Sequence, residues 1–375
     1  MALAEKIIDD LSKFLPVKNG MVALHEPKFN GNELKYVSDC VNTGWVSSVG
    51  SYVDKFEADL ANYVGAKKAI SAVNGTAALH LCLYMAGVRA GDEVLIPNLT
   101  FVATANAVSY LGAIPHLIDA ETEYLGIDIP KLDEYLSKID RSKIKAIVPM
   151  HTFGHPIDMD GINALAQKYG FAVVEDAAES LGSLYKGKHC GTLAQMSAIS
   201  FNGNKTITTG GGGAIVTNDE ELGRKIKHIS TTARVVENFE YSHDEVGFNY
   251  RMPNINAALG VAQLEVLPEF IAKKRKLAAK YEEIFTNIEG TKFIKEPSFA
   301  TSNYWLVAVM IDDEAKRLEI LNKTNAANIM TRPIWRLMSE LEMYKKCPKM
   351  NLENSYYLTK RVINIPSSPF LADYC

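Results

Sequence analysis

Between Lys68 and Asp176 the chain alternates short apolar runs with stretches of helical period. The runs KAISAV (68–73), EVLIP (93–97), IPHLI (114–118), IKAIVP (144–149) and FAVVE (171–175) read as strands. Helices are expected over Ala77–Ala86, following Asn74-Gly75-Thr76, and over 101–111, 130–139 and 158–169, with Gly170 closing the last. Near-continuous apolar strands separated by helices of this length predict a mostly parallel sheet covered on both faces. Ligands of such sheets gather at the carboxyl ends of the strands, so residues just past each strand carry the interest. A second zone, SAISF-NGNKTITTGGGG-AIVT (197–217), sets two strands around a polar, glycine-rich loop. Asn218-Asp219 then caps a helix reaching Ile229. Residues 254–285 read as helix interrupted by Pro268, and 292–311 and 316–330 as strand then helix. The organisation expected is an N-terminal extension (1–20), a large α/β domain (21–265) and a smaller C-terminal α+β domain (266–375).

Composition narrows the class. With 375 residues, 47% apolar and 22% charged, the chain is neither disordered nor fibrous and can bury a large core. Forty Lys plus Arg against 44 Asp plus Glu leave a net charge of −4, so no basic field points to nucleic acid. No continuous apolar stretch approaches the about 20 residues that span a bilayer, and the acidic amphipathic start MALAEKIIDDLSKFL is no secretory signal. The five cysteines are scattered and never spaced CxxC, which argues against a disulfide framework and fits a reducing cytoplasm. Lys273-Lys274-Arg275-Lys276, beside Glu269, Glu282 and Glu283, reads as a solvated helix face.

Several motifs bear on chemistry. Ile199 and Asn204 stand where a Walker loop needs glycines, and Gly210–Gly213 run into Ala214-Ile215, so neither nucleotide fingerprint is met. Asn74-Gly75-Thr76 sits between strand and helix, where backbone N–H groups favour an anion or simply start a capped helix. Asp176 ends an apolar strand, where it could pair with a cofactor cation, bind a metal or cap the next segment. His151 and His155 are four apart, but Gly154 and Pro156 oppose a helix there and HExxH is not matched, so no metal site is expected. Lys205 is the sharpest feature: it follows a strand and precedes Thr206, Thr208, Thr209 and four glycines. Lysine forms Schiff bases with carbonyl cofactors. Ser200 and Asn202 alternate on one strand face and could meet the same phosphate. A strand-end acid plus a loop lysine is what pyridoxal 5'-phosphate (PLP) requires, the acid keeping the pyridine nitrogen protonated so that the ring serves as an electron sink.

The ordered blocks TGWVSSVG (43–50), NGTAALHL (74–81), PNLTFVATANA (97–107), VVEDAAES (173–180), SFNGNKTITTGGGGAIVT (200–217) and GFNYRMPNINAALG (247–260) resemble the DegT/DnrJ/EryC1/StrS sugar aminotransferases, PLP-dependent enzymes of fold type I. Residues 25–57 and the segment FNGNKTITTGGGG (201–213) resemble the branch that aminates UDP-4-keto-6-deoxy-N-acetylhexosamines on the way to bacillosamine or legionaminic acid. The resemblance implies that Lys205 forms the internal aldimine and moves the proton, that Asp176 pairs with the pyridinium nitrogen, and that Phe101 stacks on the ring. It implies that Gly75, Thr76 and Ser200 hold the phosphate with Asn249 of a second subunit, making a homodimer with shared sites. Glu179 stands where the family often has Gln or His near the cofactor hydroxyl. Glutamate is the implied amino donor and a nucleotide-linked keto sugar the acceptor, with a dTDP- or GDP-linked sugar, or a dehydratase, as alternatives. The intact Lys205 favours amino transfer over dehydration. His25, Trp45, Ser47, Ser48, Arg332, Trp335 and Arg336 are the candidates for holding the sugar nucleotide, since a diphosphate needs cationic or N–H donors and a base or sugar ring suits an aromatic face.

Overall fold

The computed structural model describes residues 2–237 and 239–375. Its centre is a seven-stranded sheet of β1 (Lys68–Ala72), β2 (Glu93–Pro97), β3 (Ile114–Ile118), β4 (Ile144–Ile147), β5 (Ala172–Asp176), β6 (Met196–Ser200) and β7 (Gly213–Thr217). In spatial order these run β1-β7-β6-β5-β4-β2-β3. Strand β7 is antiparallel to both neighbours, and the other pairings are parallel. The strands are buried on nearly every residue because helices cover both faces, which is why their sequences lack polar alternation. Helix Gly75–Met85 is apolar all round for the same reason, and every residue from Ala77 to Leu83 is buried.

Local chemistry sets the boundaries. Asp158 and Asp219 accept from N–H groups of the first helical turn, and Gly170 ends its helix at φ 80°, a left-handed position that favours glycine. The expected strand over 292–311 is three strands, Thr291–Phe293, Ala300–Thr301 and Val307–Ile311, because the middle one leaves the others to pair with Leu184–Tyr185; Thr291–Phe293 and Val307–Ile311 stay together. These two pair antiparallel within a four-stranded sheet completed by Val362–Ile365 and Arg332–Pro333.

Helix Asn254–Thr286 joins both halves of the molecule. Its first part places Ala257, Val261 and Leu267 in a core with Phe56 and Phe201, and its last part places Leu277, Tyr281 and Phe285 in a second core with Val309 and Ile363. Helix Leu3–Ser12 adds Ile7 and Leu11 to this second core. The long helix is by length and composition apolar enough to cross a membrane, yet half of its most apolar stretch is buried inside the protein. The basic run corrects its sequence reading. Lys274 is 1% exposed, Arg275 pairs with Glu296 at 2.6 Å, and Lys276 donates to the carbonyls of Ala372 and Cys375. Successive helical residues turn about 100° apart, so four in a row cannot share one solvent face.

Candidate active site

The carboxyl ends of β5 and β6 and the N-terminus of helix Gly75–Met85 converge on a cleft of about 650 Å³. Asn74, in extended backbone, accepts the Ala77 N–H at 2.7 Å. The N–H groups of Gly75 and Thr76 then have no intrahelical acceptor, and both residues line the cleft at the positive end of the helix dipole. Two glycines permit this approach. A Cβ on Gly75 would stand 2.8 Å from Ser200 Cβ, and one on Gly213 would stand 2.5 Å from the Asn74 carbonyl carbon. The glycine run thus lets β7 press against the helix start and leaves a cradle of N–H and hydroxyl donors for an anion.

Lys205 projects into this cleft with its side chain 13% exposed. Its Nζ lies 3.2 Å from Glu179 Oε1 and 3.8 Å from the ring centre of Trp305. Trp305 stands just before Val307–Ile311 of the four-stranded sheet and is fixed at several points. Its indole N–H donates to the Asn204 carbonyl at 2.7 Å and its backbone N–H to Asn303 Oδ1 at 2.7 Å. Its carbonyl accepts from Lys274 Nζ at 3.1 Å. Glu179 is 3% exposed, and its Oε2 accepts the Phe153 N–H at 2.9 Å. Burial raises its carboxyl to about 7, against the downward pull of the Lys205 charge.

Asp176 is the other buried acid. Thr104 donates to its Oδ2 at 2.8 Å and the Ala178 N–H to its Oδ1 at 3.2 Å. Burial pushes its carboxyl upward, opposed by these donors and by Lys205 and His151. A carboxylate so placed favours a cationic N–H partner in the cleft. Phe101, 49% exposed, stands at the mouth with Trp335, ring centres 6.3 Å apart.

Of the residues singled out from sequence, Gly75, Thr76, Phe101, Asp176, Glu179, Ser200, Asn202, Lys205, Arg332, Trp335 and Arg336 line this one cleft. Asn202 lies past the end of β6 rather than on it, with its amide on Asn204 Oδ1 at 3.0 Å. Four lie elsewhere. Asn249 is exposed beside Arg251, and Trp45 is 58% exposed. Ser48 lines a separate hollow of about 310 Å³ with Lys227, Arg234 and Arg251. His25 has both ring nitrogens buried and without a hydrogen-bond partner, and burial holds its pKa well below 6.5. His151 donates from Nε2 to Glu175 at 2.8 Å while its Nδ1 accepts the Ile157 N–H, and His155 packs edge-on against Tyr304. Thr104, Trp305 and Asn303 were not foreseen. Nothing in spacing ties them to Lys205 or Asp176, though Thr104 falls inside the block 97–107.

A donor-lined anion cradle, a strand-end carboxylate and a loop amine, all facing one cleft, suit a phosphorylated aldehyde whose ring nitrogen takes a proton. That set defines the class of PLP-binding α/β enzymes. The family model for DegT/DnrJ/EryC1/StrS aminotransferases matches residues 27–374, and the chain belongs to that family. It is 38% identical over 362 residues to a GDP-perosamine synthase of Escherichia coli O157:H7, covering 96% of this chain and 95% of that protein. It is 35% identical over 325 residues to the UDP-2-acetamido-2-deoxy-3-oxo-D-glucuronate aminotransferase of Pseudomonas aeruginosa, covering 86% and 87%. Among solved structures, the aminotransferase TlmJ of Streptoalloteichus hindustanus superposes with a TM-score of 0.86 at 26% identity, covering 93% of this chain and 94% of that one. The protein is a PLP-dependent aminotransferase of fold type I.

Proposed function

We propose that the protein transfers an amino group from glutamate to C4 of a UDP-linked 4-keto-6-deoxy-N-acetylhexosamine, in the cytoplasm, as a homodimer whose sites are shared between subunits. The observation that carries amino transfer is Lys205 Nζ, set in the cleft between a buried carboxylate and an indole face, opposite Asp176 and the N-terminus of helix Gly75–Met85. The coarser acceptor class, a nucleotide-linked keto sugar, is supported by the relatives named above. The choice of UDP and of the C4 ketone rests on the resemblance of residues 25–57 and 201–213.

When bound, PLP supplies an electron sink for the carbon losing or gaining the amino group. Lys205 Nζ anchors the cofactor and, once free, moves the proton in both half-reactions. Asp176, oriented by Thr104, takes the ring nitrogen's N–H. The Gly75 and Thr76 N–H groups with Ser200 and Asn202 receive the phosphate, and Asn249 of the partner subunit completes that set. Phe101 covers the ring and excludes water. Arg332, Trp335 and Arg336 at the cleft mouth, with His25, Trp45 and Ser48, take the nucleotide diphosphate and sugar.

A second reading, a GDP-linked acceptor, is favoured by the identity to the GDP-perosamine synthase. The test incubates the purified protein with PLP, glutamate and either the UDP- or the GDP-linked 4-keto sugar, and follows 2-oxoglutarate and the amino sugar. Product from the UDP sugar alone is expected. Product from the GDP sugar alone would replace the acceptor while keeping the chemistry. Failure of borohydride to fix a pyridoxyl mass on the Lys205 peptide would end the cofactor assignment.

A further inference from the structure

An ammonium cannot attack a carbonyl, so Lys205 must lose a proton each time it attaches the cofactor and accept one when it is released. The described residues around Nζ offer few takers. Trp305 presents a ring face, which attracts the charge but accepts no proton. Asp176 is occupied by Thr104 and the Ala178 N–H. Glu179 Oε1 is the carboxylate oxygen within hydrogen-bond reach, at 3.2 Å.

From this geometry we infer that Glu179 is a catalytic base: its Oε1 takes the Nζ proton when Lys205 attaches the cofactor and returns it when Lys205 is freed. The Nζ–H bond breaks and the carboxyl O–H forms, so ammonium and carboxylate become amine and acid, and condensation of that amine with the cofactor aldehyde would release the carbonyl oxygen as water. The inference rests on the family's PLP dependence and on this chain's glutamate, since an amide at this position could not accept the proton.

The setting suits the exchange. The carboxyl lies about 7, near working pH, where a base both accepts and returns a proton efficiently. The charged groups facing it are Lys205 and Asp176, and its other oxygen is held by the Phe153 N–H. That contact fixes the rotamer, and Phe153 adopts a left-handed φ of 56° in the turn that aims its N–H. When Lys205 loses its charge, Glu179 is left buried without a cation, and the neutral acid becomes its stable form.

Glu179→Gln tests this, because the amide keeps the shape and can still accept from Phe153. Apoenzyme of each protein is mixed with PLP, and the rate of attachment is followed by absorbance from about pH 6 to 9, with bound pyridoxyl mass fixed by borohydride as the check. The variant is expected to attach at least roughly tenfold more slowly at neutral pH, with the deficit shrinking as pH rises and solvent base takes over. Glu179→Asp, which retains a base at longer reach, is expected to recover part of the rate. Equal rates and an unchanged pH profile in Glu179→Gln would overturn the proposal. Wild-type apoenzyme that attaches no PLP at all would overturn the cofactor assignment, and this proposal with it.

Discussion

Lys274 offers the most quantitative check on the packing of the two halves. It is 1% exposed in the middle of the long helix, with no carboxylate partner among the described residues. Its Nζ donates to the Trp305 carbonyl at 3.1 Å and the Ser367 carbonyl at 2.5 Å. Burial pushes its pKa well below the ordinary 10.5, so the folded protein holds a neutral amine at pH values where the unfolded chain holds an ammonium. The folded state then binds one proton fewer, and this residue's contribution to stability rises with pH by about 1.4 kcal/mol per unit, levelling off above 10.5. Lys274→Met keeps the apolar stem but leaves two buried carbonyls without a donor, each costing about 1–3 kcal/mol. Near pH 10 the variant is therefore expected to be less stable by about 3 kcal/mol, and the gap to close within about two pH units below. Urea unfolding at fixed protein concentration, at pH 8, 9 and 10, measures the gap directly. A gap that stays constant across this range would mean that Lys274 keeps its proton in the fold, and the reasoning would fail.

Two further outcomes follow from the site. Gly213→Ala places a Cβ 2.5 Å from Asn74 backbone, so the helix start must shift. We expect a loss of about 1–3 kcal/mol in unfolding free energy and a larger fractional loss in PLP affinity, read by titration of apoenzyme. A variant that binds PLP as wild type would remove this glycine from the anion cradle. Lys205→Ala and Asn249→Ala, each expected to be inactive alone, should regain activity when co-expressed, because mixed dimers with shared sites carry one intact site. No recovery would refute the sharing.

Much of the fold was legible because both of its periodicities are strong. The runs at 93–97 and 114–118 end where the strands end, since Pro97 and the polar residue Asp119 stop the apolar text there. Lys205, Asp176 and Gly75 stood out from sequence because each lies at the carboxyl end of a strand or within a few residues of it, and strand ends point to the ligand edge of a parallel sheet. The sequence alone also carried the family, through short motifs kept in order. The tertiary structure decided what those residues face. Trp305 lies 100 residues beyond Lys205 and reaches it only because the long helix and the four-stranded sheet bring it over the cleft. Thr104 meets Asp176 across two different crossovers. Lys274 reads as surface charge in a basic run and is buried because the helix turns it between two cores. Local pattern is set by backbone geometry and is written in adjacent residues. Partnership across the cleft and between the halves is set by three-dimensional packing, for which a single sequence holds no spacing signal.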